Sequence, residues 1–157
     1  MAERQPSSRT CFVCGRDNAL GLRARWWSDA TSGEARGEVV IPEAFNGFPG
    51  VVHGGILAAL LDEAMVRSAL IAGGFDDLMV TARMEVTYLR PVPTGAPVVA
   101  AGRMVKRTGR RATAAAELRL ADGTVAARAE ALLARAPPEV ARAWAEEREH
   151  WRVEGGG

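Results

Sequence analysis

Cysteine, histidine and net charge are all scarce in this sequence. Two cysteines and two histidines occur in 157 residues. Two cysteines are too few for a disulfide framework and suit a reducing compartment, so a cytoplasmic location is the expectation. Lys+Arg number 20 against Asp+Glu 19, a formal net charge of +1. Without a broad positive field, nucleic acid is not an expected partner. Long apolar runs are missing as well. The opening MAERQPSSRT has no apolar core of a secretory signal. The most apolar stretch, Ile56 to Met65, contains Asp62 and Glu63 and is too short to cross a bilayer, so no membrane partner is expected.

What is present reads as one α+β domain, because a chain of this length buries roughly two-thirds of its unfolded surface around a single core. It divides into an N-terminal arm over 1–21 with the segment CFVCG, a body over 22–135 and a polar C-terminal tail over 136–157. Leu22 to Trp27 and Glu34 to Ile41, separated by SDATSG, predict two strands and a turn. PEAFNGFPGVV, broken by proline and glycine, follows as a loop. Ile56, Leu57, Leu60, Leu61, Ala64, Met65, Ala69 and Leu70 then recur at helical spacing, and Gly73-Gly74 ends the run. A helix from Gly55 to Ile71 is about 25 Å long and needs a large cover.

Period-two segments supply that cover. Thr81 to Tyr88, Val98 to Arg107, Arg111 to Leu120 and Thr124 to Leu133 predict strands, the last two joined through Asp122-Gly123, a strong hairpin dipeptide. In the last of them Val125, Ala127, Ala129, Ala131 and Leu133 share one face while Arg128 and Glu130 share the other, as in a sheet with a helix on one side and water on the other. Ala112, Ala114, Ala115 and Ala116 have modest strand propensity, but their small size permits close approach of helix and sheet. After Pro137-Pro138 a polar helix carrying Trp144 and Trp151 lays an aromatic stripe on the body or on a partner, and Gly155-Gly156-Gly157 is expected to be loose.

His53 stands before two glycines at the start of the central helix. Glycine permits close approach of a ligand, and the first N–H groups of a helix lack intrahelical acceptors, so they can hold a carbonyl oxygen or negative charge developing on it. The plain alternative is a turn in which His53 caps or packs. Asp62 and Glu63 lie about 100° apart around the helix and meet different surroundings. Asp62 is either a carboxylate at a site open to water or substrate, or a hydrogen-bonded structural group, since burial without a partner is costly; Glu63 reads as a solvated or salt-bridged flank. Gly55 and Asp62 are about 10 Å apart along one helix. One carbonyl cannot reach both, so a site using the two needs two copies of the helix in a two-fold dimer. Arg83, Arg90, Arg103, Lys106, Arg107, Arg110 and Arg111 form a basic set that either meets a small phosphorylated ligand or solubilises the surface.

FPGVVHGGILAALLDEA, with TARMEVTYLRPVPTG and the alternating strands to ALLARA, resembles the PaaI-type branch of the hotdog-fold thioesterases over about residues 34–135. The resemblance implies an α+β hotdog fold, an antiparallel sheet wrapped around a hydrophobic helix, and hydrolysis of an acyl-CoA thioester to free acid and CoA. It gives the carbonyl-polarising amide to Gly55 in the turn begun by His53, the role of general base or nucleophile to Asp62, with Glu63 as the alternative register, and the orientation of water to Thr81. Relatives often carry asparagine six residues before the histidine, where this chain has Gly47; Asn46, one place earlier, is the candidate. CoA is part of the substrate, so no separate cofactor is expected, and Arg90, Arg107, Arg110 and Arg111 are the candidates for its phosphates. A homodimer or a dimer of dimers is implied. The alternative is a hotdog module that binds acyl-CoA without hydrolysing it. CFVCG resembles a segment found before some PaaI-like domains. Cys11 and Cys14 make half of a tetrahedral zinc site or a redox pair; the plain reading is a compact turn packed on the sheet, and no metal is expected.

Overall fold

The computed structural model describes residues 1–155, so the expectation for Gly156 and Gly157 lies outside the described residues. Ala2–Arg4, at the start of the arm, form strand β1, which pairs antiparallel with β2, Arg25–Asp29. β2 begins at Arg25 rather than at Leu22 because Leu22 and Ala24 donate their N–H groups to the carbonyls of Phe12 and Val13, both at 2.8 Å. β3, Glu34–Val40, completes the first hairpin. The central helix α1 runs from Gly54 to Gly73. β4 (Met79–Tyr88), β5 (Pro97–Thr108), β6 (Arg111–Leu120) and β7 (Val125–Arg135) follow. The seven strands make one antiparallel sheet in the order β1-β2-β3-β5-β6-β7-β4.

The ends of α1 follow from its sequence. His53 has an extended backbone (φ −60°, ψ 134°) and its Nδ1 accepts the Gly55 N–H at 2.9 Å, satisfying one of the orphan donors of the first turn. At the other end Gly74 takes φ +67°, and its N–H reaches the Leu70 carbonyl at 2.9 Å. Between them Leu57, Leu60, Leu61, Ala64, Met65, Ala69 and Leu70 are buried. Apolar residues on more than one face are what a helix wrapped by a sheet requires.

A row of small residues crosses the sheet beneath α1. Ala35 of β3 pairs with Gly102 of β5, Gly102 with Ala116 of β6, and Ala116 with Ala129 of β7. All four are buried. A Cβ on Gly102 would stand 2.3 Å from the Ala64 carbonyl oxygen and 2.8 Å from the Met65 nitrogen, so the helix backbone rests directly on β5. The alanine content of the strands therefore sets the distance between the layers, at the expense of local strand propensity.

The tail is partly helical, but its helix is shorter than one that would carry both tryptophans. α2 spans Pro138–Glu147 and a short 3-10 turn covers Arg148–His150, so Trp151 lies beyond the helix that carries Trp144. The two indoles meet because the chain bends there, with ring centroids 4.1 Å apart, and both pack on Phe75. Trp144 Nε1 donates to the Phe75 carbonyl at 3.2 Å. The tail also reaches the arm: Ser7 N–H donates to the Arg152 carbonyl at 3.0 Å, and Arg9 pairs with Glu147. No residue of α2 is fully buried, which makes Trp144 its main anchor. Trp144→Ala is expected to weaken docking of α2 by about 2 kcal/mol, roughly 30-fold in tryptic cleavage beside Arg142 and Arg148, while the body stays folded; limited proteolysis followed by mass spectrometry measures this. Among the described residues no helix is long and apolar enough to cross a membrane.

Candidate active site

Asp62 lies near the middle of α1 and is half-buried. Its Oδ1 accepts a hydrogen bond from the Thr81 hydroxyl on β4. Burial pushes its carboxyl above the ordinary carboxylate range; the Thr81 bond opposes that push and the neighbouring charge of Glu63 adds to it. The two acids diverge as helix geometry requires. Glu63 turns toward the arm, where its Oε1 accepts from Arg67 Nε at 2.7 Å in an (i, i+4) pair, so it is a salt-bridged flank. Sequence reasoning missed Arg67, whose side chain is 1% exposed. It donates to Gln5 and to the Pro6 carbonyl of the arm and lies over the rings of Trp26 and Trp151.

The loop before α1 is folded back on itself. His53 N–H donates to the Phe45 carbonyl at 2.9 Å and Gly47 N–H to the Val51 carbonyl at 2.9 Å, while Asn46 pairs with Val52 across a single bridge. Asn46 is thereby held beside the His53-Gly54-Gly55 turn, and its Oδ1 is buried with no hydrogen-bond partner. Gly47 packs on the histidine, since a Cβ there would stand 3.2 Å from His53 Cα. Tyr88, the one tyrosine of the chain, donates its hydroxyl to the Gly54 carbonyl at 2.9 Å and ties the end of β4 to this turn. Its sequence signal was only that of a strand residue. Gly55 is exposed, but its N–H is engaged by His53 Nδ1.

The structure therefore brings Asp62 to Thr81, and His53, Gly55 and Asn46 to one another. It leaves these two groups apart on one chain, separated by about 10 Å of helix. The four arginines are divided in the same way. Arg90 follows β4 and donates its N–H to the Ala126 carbonyl, lining a cavity of about 250 Å³ with Gly54, Leu57 and Tyr88. The Arg110 carbonyl accepts from the Arg135 N–H, and Arg111 pairs with Ala134 along the strand. Arg90 is thus about 30 Å along β7 from these two. Arg107 is engaged by Asp77, which also holds Arg135, and both arginines pull the Asp77 carboxyl below its ordinary range.

Cys11 and Cys14 sit in a turn beside α1, with Cys11 Sγ 3.9 Å from Glu63 Oε2, and the turn is also bonded through Phe12 and Val13 to the segment that leads into β2. A hydrogen bond from Cys14 draws the Cys11 thiol down to about 7, and the same bond and burial push Cys14 up.

Comparison with known proteins adds a family. The model of the family described as "Thioesterase superfamily" matches residues 49–127. A thioesterase superfamily protein of known crystal structure is similar over 80% of this chain and 60% of its own length, at 34% identity and a TM-score of 0.72. The chain thus spans less than two thirds of that relative. The E. coli PaaI protein from the phenylacetic acid degradation operon shares the fold at 18% identity over 67% of this chain and 74% of its own, with a TM-score of 0.61. A Streptococcus mutans protein, solved bound to acetyl CoA, does so at 18% identity over 66% and 82%, with a TM-score of 0.58.

Proposed function

Because this chain belongs to the thioesterase superfamily and has the hotdog architecture, we propose that it hydrolyses an acyl-CoA thioester to the free acid and CoA at sites shared between two subunits. The observation that carries the reading is Asp62, a half-buried carboxylate in an apolar helix held at one oxygen by Thr81. Its second oxygen is left to meet a reactant. Either water gives its proton to Asp62 as it attacks the thioester carbon, or Asp62 attacks and water opens the resulting anhydride. In both cases the C–S bond breaks and CoA leaves as its thiol. The Gly55 N–H of the other subunit polarises the carbonyl, once the carbonyl has displaced His53 Nδ1 from it. Asn46, beside that turn, supplies a second polar group, and Arg90 lies near enough to the turn to meet CoA phosphate.

Assembly is part of the proposal. β4 pairs with β7 alone among the described residues, so its other edge is an unpaired ladder of backbone donors and acceptors, suited to a second copy. The known acetyl-CoA complex of a similar fold supports acyl-CoA as the first class to assay.

The deciding experiment is thiol release from a panel of short, long and aromatic acyl-CoAs, with thermal stabilisation measured beside it. Turnover with any of them supports hydrolysis. Stabilisation by acyl-CoA without thiol release would replace it by a binding module. Thr81→Val removes a hydrogen bond to a carboxylate and is expected to lower kcat about tenfold or more with little change in assembly. Unchanged kinetics would remove Thr81 from the mechanism.

A further inference from the structure

The turn CFVCG has no part in the proposed hydrolysis, yet it is closely built. Gly15 N–H donates to the Cys11 carbonyl at 2.8 Å, Cys11 N–H to Ser8 Oγ at 3.0 Å, and Val13 N–H to Cys11 Sγ at 3.3 Å. A Cβ on Gly15 would stand 2.3 Å from the Cys11 carbonyl oxygen, so glycine is required there. The turn presents both sulfurs to α1. The ligand atoms of Cys11, Cys14 and Glu63 all lie within 4.8 Å of one another.

Glu63 divides its two oxygens. Oε1 accepts from Arg67, and Oε2 faces Cys11 Sγ at 3.9 Å. A carboxylate oriented at one oxygen by a hydrogen-bond donor and turned with the other toward two sulfurs is arranged as a metal ligand with its outer-shell partner. Charge points the same way. Two thiolates and a carboxylate carry −3, and the buried Arg67 guanidinium, whose Nη2 has no partner, carries +1. A divalent cation brings the cluster to neutrality, as burial demands. Two sulfur donors select a soft ion such as zinc over magnesium or calcium. Zinc bonds of about 2.3 Å to sulfur and about 2.0–2.2 Å to oxygen require these atoms to draw together by no more than about 1 Å.

We propose that Cys11, Cys14 and Glu63 bind Zn²⁺, with the fourth coordination position open to the adjoining cavity. That cavity, about 420 Å³, is lined by Cys11 and Glu63 together with Val66, Leu70, Trp144 and Trp151. Three protein ligands and an exchangeable fourth position is the pattern of zinc sites that accept a ligand. The ion ties the arm to α1 beside the candidate active site and does not depend on the hydrolytic reading.

The test uses the whole chain, reduced, stripped with a chelator and titrated with Zn²⁺ alone. About one zinc per chain should remain after gel filtration, and both thiols should become protected from a thiol reagent. Co²⁺ in its place should show a thiolate-to-cobalt charge-transfer band and the intense visible bands of tetrahedral coordination. Cys14→Ser should abolish uptake. Glu63→Gln, which keeps an oxygen for Arg67, should weaken affinity at least about tenfold. No uptake by the reduced wild-type chain, or a cobalt spectrum without thiolate bands, would overturn the site. Undiminished uptake by Cys14→Ser would do the same, and should that variant fail to fold, the half-exposed Cys11→Ser and the wild-type cobalt spectrum decide the matter.

Discussion

Asp62→Ala is expected to lower thiol release from acyl-CoA by about 10²–10⁴-fold, the usual contribution of a positioned base or nucleophile, while the fold persists. The side chain is half-buried and contributes one hydrogen bond, to Thr81, so its removal leaves the apolar contacts of α1 intact. The sharper result concerns a mixture. Gly55→Val should also be inactive, because a side chain there lies 3.1 Å from His53 Nδ1 and covers the amide. When subunits of the two inactive proteins exchange, one site of each heterodimer combines an intact Gly55 with the partner's intact Asp62. Activity should return to the order of a quarter of the wild-type rate if pairing is random. Confirmed heterodimers that stay inactive, from parents shown to fold and dimerise, would sink the shared site.

The second large effect is on stability. Gly102→Val places atoms where the backbone of α1 already runs, 2.3 Å from the Ala64 carbonyl oxygen. Backbone cannot rotate away as a side chain can, so helix and sheet must separate locally. The expected cost is about 3 kcal/mol or more, which lowers Tm by roughly 6–12 °C in a chain of this size. Urea denaturation should show a lower midpoint with an unchanged slope. A shift within 1 °C, roughly a few tenths of a kcal/mol, would mean that α1 does not rest on β5 as described.

Local patterning made much of this architecture legible. The apolar spacing of Ile56 to Leu70 and the alternation of Ala127, Ala129, Ala131 and Leu133 each name a face, and burial follows them. The divergence of Asp62 and Glu63 followed from helix geometry alone. What could not be read were contacts between distant residues. Nothing near Glu63 in sequence announces that Cys11 lies beside it, or that Arg67 is buried against Gln5 and Trp26. β1 is only three residues long and has no period to detect. Trp144 and Trp151 have helical spacing but meet through a bend, because the helix ends at Glu147. That the four candidate arginines lie at two ends of the sheet on one chain was hidden for a related reason: adjacency along strands says nothing about which end of a sheet each one occupies.

The row of Ala35, Gly102, Ala116 and Ala129 also bears on where the proposed reaction can find space for its substrate. Where α1 touches β5 there is no gap to enlarge, and trimming residues as small as these would open little space. For the proposed hydrolysis, room for an acyl group has to come from outside this contact, on the outward side of α1, where Val66 and Trp144 line an open cavity beside the tail. On that proposal, residues of the cavity wall can drift while the row of small residues that sets the spacing of helix and sheet stays fixed.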